Sequence, residues 1–202
     1  SRPQFSDLVQ INLHRSKAAT ASLCSMRDRV VLQKTNKHSP KPHSFIALIQ
    51  EPYYYRNAIR GLGSHNLLFV APNHNDDEPS RACVWTSGNV EAEMLVQFSD
   101  RDQVAIKTIW GDKTIVLASS YMAGDSTEAP PPEILRRLVS YCSSEKLPLI
   151  VGADANSHHE YWGSTDINQR GESLFEYILS TDLDIMNSGN TPTFVTSARS
   201  EV

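Results

Sequence analysis

Phe45-Ile46-Ala47-Leu48-Ile49 runs directly into Gln50-Glu51-Pro52. Five consecutive apolar residues ahead of a carboxylate and a proline read as a short strand buried on both faces. Upstream, Leu8-Val9-Gln10-Ile11-Asn12-Leu13 alternates, with Val9, Ile11 and Leu13 on one side. Ser16 then stands as the N-cap of a helix carrying Ala19, Leu23, Met26 and Val30 at helical spacing. Lys34 to Pro42 is a polar, proline-containing connection. Strand, helix, strand in this order predicts an α/β sandwich.

Downstream of Glu51 the β signals multiply. Strands are expected at Leu67 to Ala71, Ala82 to Thr86, Met94 to Phe98, Val104 to Ile109 and Thr114 to Tyr121. Turn-prone segments such as Ser87-Gly88-Asn89 and Gly111-Asp112-Lys113 separate them, so several should pair as antiparallel hairpins. Beyond a proline-rich loop, Ile134, Leu135, Leu138, Val139 and Cys142 recur at helical intervals until Pro148. Leu149-Ile150-Val151 reads as another buried strand, and Leu174, Phe175 and Ile178 mark a short helix. Leu183 to Met186 and Thr193 to Val195 read as weak strands near the end.

The chain has 202 residues, a length suited to one domain spanning 1–202, and no repeat or low-complexity tract divides it. No apolar run approaches the roughly 18 to 20 residues of a bilayer-spanning helix, so no membrane partner is expected. Three widely spaced cysteines without a C-x-x-C pattern suggest neither a disulfide framework nor a cysteine zinc site, and fit a reducing, intracellular setting. The net charge of -4 is unevenly spread: residues 1–43 carry eight Lys or Arg against Asp7 and Asp28. That end can present a phosphate-facing surface or simply a solvated basic helix face.

Several expected strands finish in a chemically capable side chain: Asn12, Glu51, Tyr121 and Asp154. Ligands of α/β sheets bind outside the carboxyl ends of the strands, so these groups can converge on one pocket. Polar residues also end strands simply to meet solvent. Against that reading, Glu51 follows five apolar residues directly, and Gly152-Ala153-Asp154-Ala155-Asn156 sets an acid and an amide among small neighbours that admit a bulky substrate. A glutamate and an aspartate from separate strands make an oxygen-rich site suited to a hard cation such as Mg²⁺, which takes one or two carboxylates plus substrate phosphate. Phosphoryl chemistry is the natural hypothesis.

The string Gly152-Ala153-Asp154-Ala155-Asn156-Ser157-His158-His159-Glu160-Tyr161-Trp162-Gly163, with Asn168-Gln169-Arg170-Gly171 and Leu174 behind it, resembles the endonuclease domain of non-LTR retrotransposons. These domains belong to the endonuclease/exonuclease/phosphatase superfamily, with apurinic/apyrimidinic endonucleases and deoxyribonuclease I. Further landmarks follow in family order: Gln10-Ile11-Asn12-Leu13, Ile49-Gln50-Glu51-Pro52-Tyr53, Ser119-Ser120-Tyr121, Leu183 to Asn187, and Pro192-Thr193-Phe194. The resemblance extends from residue 8 to about residue 195.

It implies a four-layer α-β-β-α sandwich of two mixed sheets flanked by helices. It also implies a nuclease using Mg²⁺, with Mn²⁺ substituting. Glu51 would be a metal ligand, and Asn12 would support the metal and its carboxylates. Asp154 would orient or deprotonate the attacking water, while Asn156 and Tyr121 would hold the scissile phosphate. Arg15 and Lys17 are the basic residues best placed for a DNA backbone, and His159 is a further candidate. His158 is expected to make structural hydrogen bonds, Trp162 to pack its loop, and Tyr53, Tyr54 and Tyr55 either to contact DNA or to cover a sheet edge.

The implied activity is nicking of double-stranded target DNA to leave a 3'-hydroxyl that primes reverse transcription. The implied partner is the reverse transcriptase domain of the same polyprotein, and the implied location is the nucleus. Two other readings stay open: a phosphoesterase of the same fold acting on a small phosphate ester, and a DNA- or protein-binding module without hydrolysis. The family pattern continues to a terminal serine-aspartate-histidine element not found up to Val202. The resemblance therefore implies a domain that is incomplete at its C-terminal side up to Val202, lacking the catalytic histidine of that element and at least one closing strand.

Overall fold

The computed structural model describes residues 6–34, 43–63, 66–72, 78–187, 194–195 and 200–201. Most of the Lys34 to Pro42 connection, together with Arg2, Lys37, Lys41, Pro192 and Thr193, lies outside the described residues. Two compact units form: Ser1–Tyr121 with Ile134–Asp154, and Met122–Glu133 with Ala155–Val202.

The larger unit contains both sheets. Its first sheet is ordered β1-β2-β6-β5 and its second β10-β9-β8-β7. The strands are β1 (Ser6–Asn12), β2 (Ser44–Gln50), β5 (Asn66–Phe69), β6 (Ala82–Ser87), β7 (Ala92–Met94), β8 (Gln103–Trp110), β9 (Lys113–Tyr121) and β10 (Leu149–Asp154), while β3 (Tyr54–Tyr55) and β4 (Ala58–Ile59) form a separate hairpin. Each sheet joins one parallel pair, β1 with β2 or β9 with β10, to antiparallel neighbours, so both are mixed. Each parallel pair is linked through a helix, α1 (Lys17–Lys34) or α2 (Glu133–Glu145). The described part of the larger unit is therefore the expected α-β-β-α sandwich.

Side-chain parity explains the layering. Phe45, Ala47 and Ile49 of β2 join Cys83 and Trp85 of β6 and Leu23 of α1 in one buried cluster. Ile46 and Leu48 point the other way, joining Val84, Val104, Ile106 and Leu117 between the sheets. A strand covered on both sides has to be apolar at every position, as the continuous run predicts. The Ser16 hydroxyl accepts the Ala19 amide at 3.2 Å, as the expected N-cap. On α2, Leu135, Leu138, Val139 and Cys142 are buried.

The middle of this core is polar at one place. Gln50, fully buried, donates to Ser119 Oγ at 2.9 Å and to the Gly152 carbonyl at 2.9 Å, and accepts from Gln10 Nε2 at 2.6 Å. Ser119 in turn donates to the Ile49 carbonyl at 2.8 Å. These bonds clasp the two sheets at a close approach: a Cβ at Gly152 would lie 2.8 Å from Gln10 Cγ and 2.9 Å from Leu48 Cδ1. Gln50→Leu strands several buried polar groups at once and is expected to lower unfolding free energy by about 2 kcal/mol or more. Urea unfolding measures it, and an unchanged midpoint would contradict the clasp.

Two expected strands are corrected. Met94 to Phe98 is not one strand: β7 ends at Met94, and Val96–Phe98 forms a 3-10 turn. Leu95 and Phe98 are buried while Val96 is 56% exposed, a three-residue spacing that a turn satisfies and an alternating strand does not. Leu183 to Met186 forms no strand; it finds no ladder partner among the described residues, and Met186 is exposed. Near the end, β11 (Phe194–Val195) pairs antiparallel with β12 (Ser200–Glu201).

No helix among the described residues is long and apolar enough to cross a membrane. All three cysteines are free. Burial raises the Cys83 thiol pKa and pushes that of Cys142 up to about 11, which keeps both protonated and poorly nucleophilic.

Candidate active site

Parity along the strands brings the candidate residues together in the larger unit. Val9 and Ile11 of β1 pack toward α1, so Gln10 and Asn12 face the second sheet. Asp154 shares the parity of Gly152 on β10, whose position faces Gln10 across the core. Asn12 and Asp154 therefore end their strands facing each other, and Asn12 Nδ2 donates to Asp154 Oδ2 at 2.5 Å and to Glu51 Oε2 at 3.2 Å. One amide links two carboxylates that lie 103 positions apart in sequence.

The Asn12 side chain is itself fixed, because its Oδ1 accepts the His14 backbone amide at 2.7 Å. Glu51 is additionally met by His14 Nδ1 at 3.2 Å and by Arg15 Nε at 3.9 Å. His14, Arg15 and Glu51 all have positive φ, at 50°, 53° and 45°. Such backbone is uncommon outside glycine and is held here by pairing: Arg15 N donates to the Glu51 carbonyl at 2.8 Å and Glu51 N to the Arg81 carbonyl at 2.8 Å. The loop is bent so that the Glu51 carboxylate turns back toward Asn12 instead of continuing the strand.

Tyr121 sits beside Asp154 in the β9–β10 register. Its ring lies under the Arg81 guanidinium, 4.9 Å from the centroid, and Arg81 also grips Asp102 with two parallel bonds at 2.5 Å. Asp102 completes the loop by accepting the Tyr121 amide on its carbonyl at 2.8 Å. Arg81 and Asp102 are thus bound to a candidate phosphate ligand, although nothing in their sequence setting singles them out.

Glu51 and Asp154 offer hard carboxylate oxygens, with Asn12 holding both. Mg²⁺ commonly uses one or two carboxylates and keeps several waters, so this donor set fits it. No cluster of three or more His, Cys, Asp or Glu side chains suited to a metal occurs among the described residues.

The smaller unit carries the rest of the string. Asn156, also at positive φ (46°), donates through Nδ2 to the Met122 carbonyl at 3.2 Å. Arg170 gathers the carbonyls of Asn156, Ala155, Met122, Ser126 and Glu128 at 3.2 to 3.5 Å, binding the loop in one fork. Asn168 caps α3 (Gln169–Leu179) by accepting the Gly171 amide at 2.7 Å and also receives the His158 amide at 3.1 Å. The Asn168-Gln169-Arg170-Gly171 motif is thereby accounted for by capping, clamping and close approach.

His158 pairs with Asp166 at 2.9 Å, and Trp162 Nε1 donates to the Ser157 carbonyl at 2.9 Å, both holding the loop. His159, suggested above as a DNA contact, is buried: its ring stacks on Phe175 at 4.3 Å and its Nδ1 accepts the Tyr161 amide at 3.2 Å. Packing and capping occupy it. Arg15 and Lys17 are exposed near the first turn of α1.

The fold is a mixed α/β sandwich that gathers these groups at the carboxyl ends of its strands. Residues 115–202 match the endonuclease-reverse transcriptase family model. In fold the chain is similar to the endonuclease domain of TRAS1, a telomere-specific non-LTR retrotransposon, with a TM-score of 0.69 and 24% identity over 95% of this chain and 79% of that one. A slighter likeness is to the catalytic domain of human Nocturnin with bound sulfate, at a TM-score of 0.37 and 14% identity over 72% of this chain and 62% of that one. No curated protein matches.

Proposed function

We propose that this protein is a Mg²⁺-dependent DNA endonuclease. It nicks double-stranded target DNA and leaves a 3'-hydroxyl from which the reverse transcriptase domain of the same polyprotein primes synthesis, acting in the nucleus. The endonuclease-family fold supports a nuclease role in general. The observation that carries the finer reading is the Asn12 amide joining Glu51 and Asp154 at the carboxyl ends of three strands.

Phosphodiester hydrolysis needs an aligned water, a proton acceptor and neutralisation of the charge that develops on phosphate. Asp154 accepts the proton of the attacking water, oriented through its bond from Asn12. Glu51, with Asn12 beside it, would hold the cation, which when bound supplies charge neutralisation at the phosphate. Tyr121 offers its phenol to the phosphate, and Arg81, anchored on Asp102, fixes the plane of that ring. Asn156, two residues beyond Asp154, is assigned to the phosphate as well. Arg15 and Lys17 meet the DNA backbone.

Arg81→Lys keeps the charge but loses the two-pronged grip on Asp102, so it is expected to lower kcat about tenfold with KM little changed. Circular dichroism confirms folding, and an unaltered kcat would remove Arg81 from the account. The polarity of the cut is tested by treating nicked plasmid with a DNA polymerase and labelled nucleotide. Direct incorporation is expected. Incorporation only after phosphatase treatment would show a 3'-phosphate and contradict the priming role.

A further inference from the structure

Apart from the centre just described, the larger unit has a concavity of about 590 Å³, lined by Lys17, Thr20, Ala21, Tyr53, Tyr55, Arg60 and Gly61. Two cations and two tyrosines line it, with no carboxylate among the described residues. Neither Lys17 nor Arg60 forms an ion pair among the described residues, and both are exposed. Tyr55 is 51% exposed, with the Arg56 guanidinium 5.2 Å from its ring centroid.

The wall is stiff. Strands β3 and β4 pair Tyr54 with Ile59 and Tyr55 with Ala58. The two residues of the tip, Arg56 and Asn57, take φ of 50° and 56°, the twisted conformation that suits a two-residue hairpin. Arg60 N returns to the Tyr53 carbonyl at 2.9 Å, and Cys24 Sγ meets the Gly61 carbonyl at 3.2 Å. At Gly61, with φ of 90°, a Cβ would stand 3.0 Å from Thr20 Cγ2, so only glycine lets the hairpin base lie this close to α1. The hairpin backbone that carries Tyr53, Tyr55 and Arg60 is thus held in place before any ligand arrives.

We propose that this groove binds an unstacked nucleotide of the DNA strand that flanks the cut. Lys17 and Arg60 receive its phosphates, and the faces of Tyr53 and Tyr55 receive its base. Fixed aromatic faces beside unpaired cations are the combination that holds unpaired nucleic acid, since every base has a face to stack and every linkage a charge. Positive charge alone would suit any polyanion; the aromatic lining selects a nucleotide. The proposal rests on the nuclease reading for its substrate, and it predicts that the protein prefers DNA with unpaired nucleotides next to the cleavage position.

The test is fluorescence anisotropy of the whole polypeptide with labelled oligonucleotides in EDTA, where cleavage does not intervene. A duplex with a short single-stranded gap is expected to bind at least about fivefold more tightly than a blunt duplex. Tyr53→Ala with Tyr55→Ala is expected to erase that preference. Lys17→Gln with Arg60→Gln is expected to weaken binding to both DNAs about tenfold and to reduce the slope of log Kd against log salt by roughly 1.5 to 2. Lys113→Gln with Lys146→Gln removes the same charge at the far end of the sheet, Lys113 standing a strand length of roughly 26 Å from Tyr121 and Lys146 preceding β10, and is expected to change little. Circular dichroism verifies each fold.

Retention of the gap preference by the double tyrosine variant, an equal loss in the Lys113 and Lys146 control, or equal competition by polyglutamate would each overturn the proposal. Because the titration reads binding alone, a protein that binds gapped DNA through this groove but never cleaves it would count against the nuclease reading and not against the groove.

Discussion

Asp154→Ala is expected to lower nicking by about 10²- to 10⁴-fold, the usual worth of a positioned proton acceptor, while leaving the thermal midpoint close to that of the parent. The two outcomes separate for a structural reason. Asp154 is half-buried at the end of β10, and its partner Asn12 keeps a second acceptor in Glu51 and a third bond to the His14 amide. Removing one of two adjacent carboxylates also removes their mutual repulsion. Asp154→Asn sharpens the point, because it preserves shape and hydrogen bonding but cannot take a proton at neutral pH. Equal loss in the two variants identifies proton acceptance. Near-normal activity in Asp154→Asn would reduce the residue to positioning.

Gly171→Ala is expected to be the most damaging single substitution to the smaller unit. A Cβ there would lie 1.8 Å from the His158 carbonyl oxygen and 2.6 Å from its carbonyl carbon, both backbone atoms. No rotamer relieves such a contact, so the chain at His158 or the start of α3 has to move. That movement breaks the His158 amide bond to Asn168, the Asn168 amide bond to His158 and the cap on Gly171 together. A destabilisation of about 3 kcal/mol or more follows, at the upper end for overpacking. Hydrogen exchange reads it locally: the Asn168 and Gly171 amides are expected to lose protection. Unchanged protection and an unchanged unfolding midpoint would contradict the predicted clash.

What the sequence makes legible here is whatever depends on local pattern. The apolar run at Phe45 to Ile49, the alternation from Leu8 to Leu13 and the spacing on α2 each state a burial pattern directly, and an α/β sandwich follows; its division into two mixed sheets is implied by the family resemblance. The polar ends of the strands are legible for the same reason: Glu51 stands where an acid has no local purpose. Contacts made across the fold are not legible. Arg81 matters through Asp102 and Tyr121, which are 21 and 40 positions away, and Gly152 matters because the opposite sheet presses on it. The β3–β4 hairpin is missed because two-residue strands carry no periodicity, and its Arg56-Asn57 turn lacks the usual glycine. Met94 to Phe98 misleads because an apolar segment of five residues suits a strand and a turn equally until burial decides between them.

His159 shows the complementary case. Its neighbours in sequence, His158 and Trp162, suggest a chemical loop, yet its ring is enclosed by Phe175, Tyr161 and Trp162. The motif's histidines here hold the loop's shape. Asp154 is the residue of the motif that the Asn12 amide links to Glu51.

Nicking of supercoiled plasmid by the natural-length polypeptide, in Mg²⁺ and in EDTA, with the parent and Asp154→Ala proteins side by side, tests the central claim most directly. Open-circular product is expected only with the parent protein in Mg²⁺. Nicking that persists in EDTA or in Asp154→Ala, or a parent protein that binds DNA but leaves it supercoiled in Mg²⁺, would contradict it.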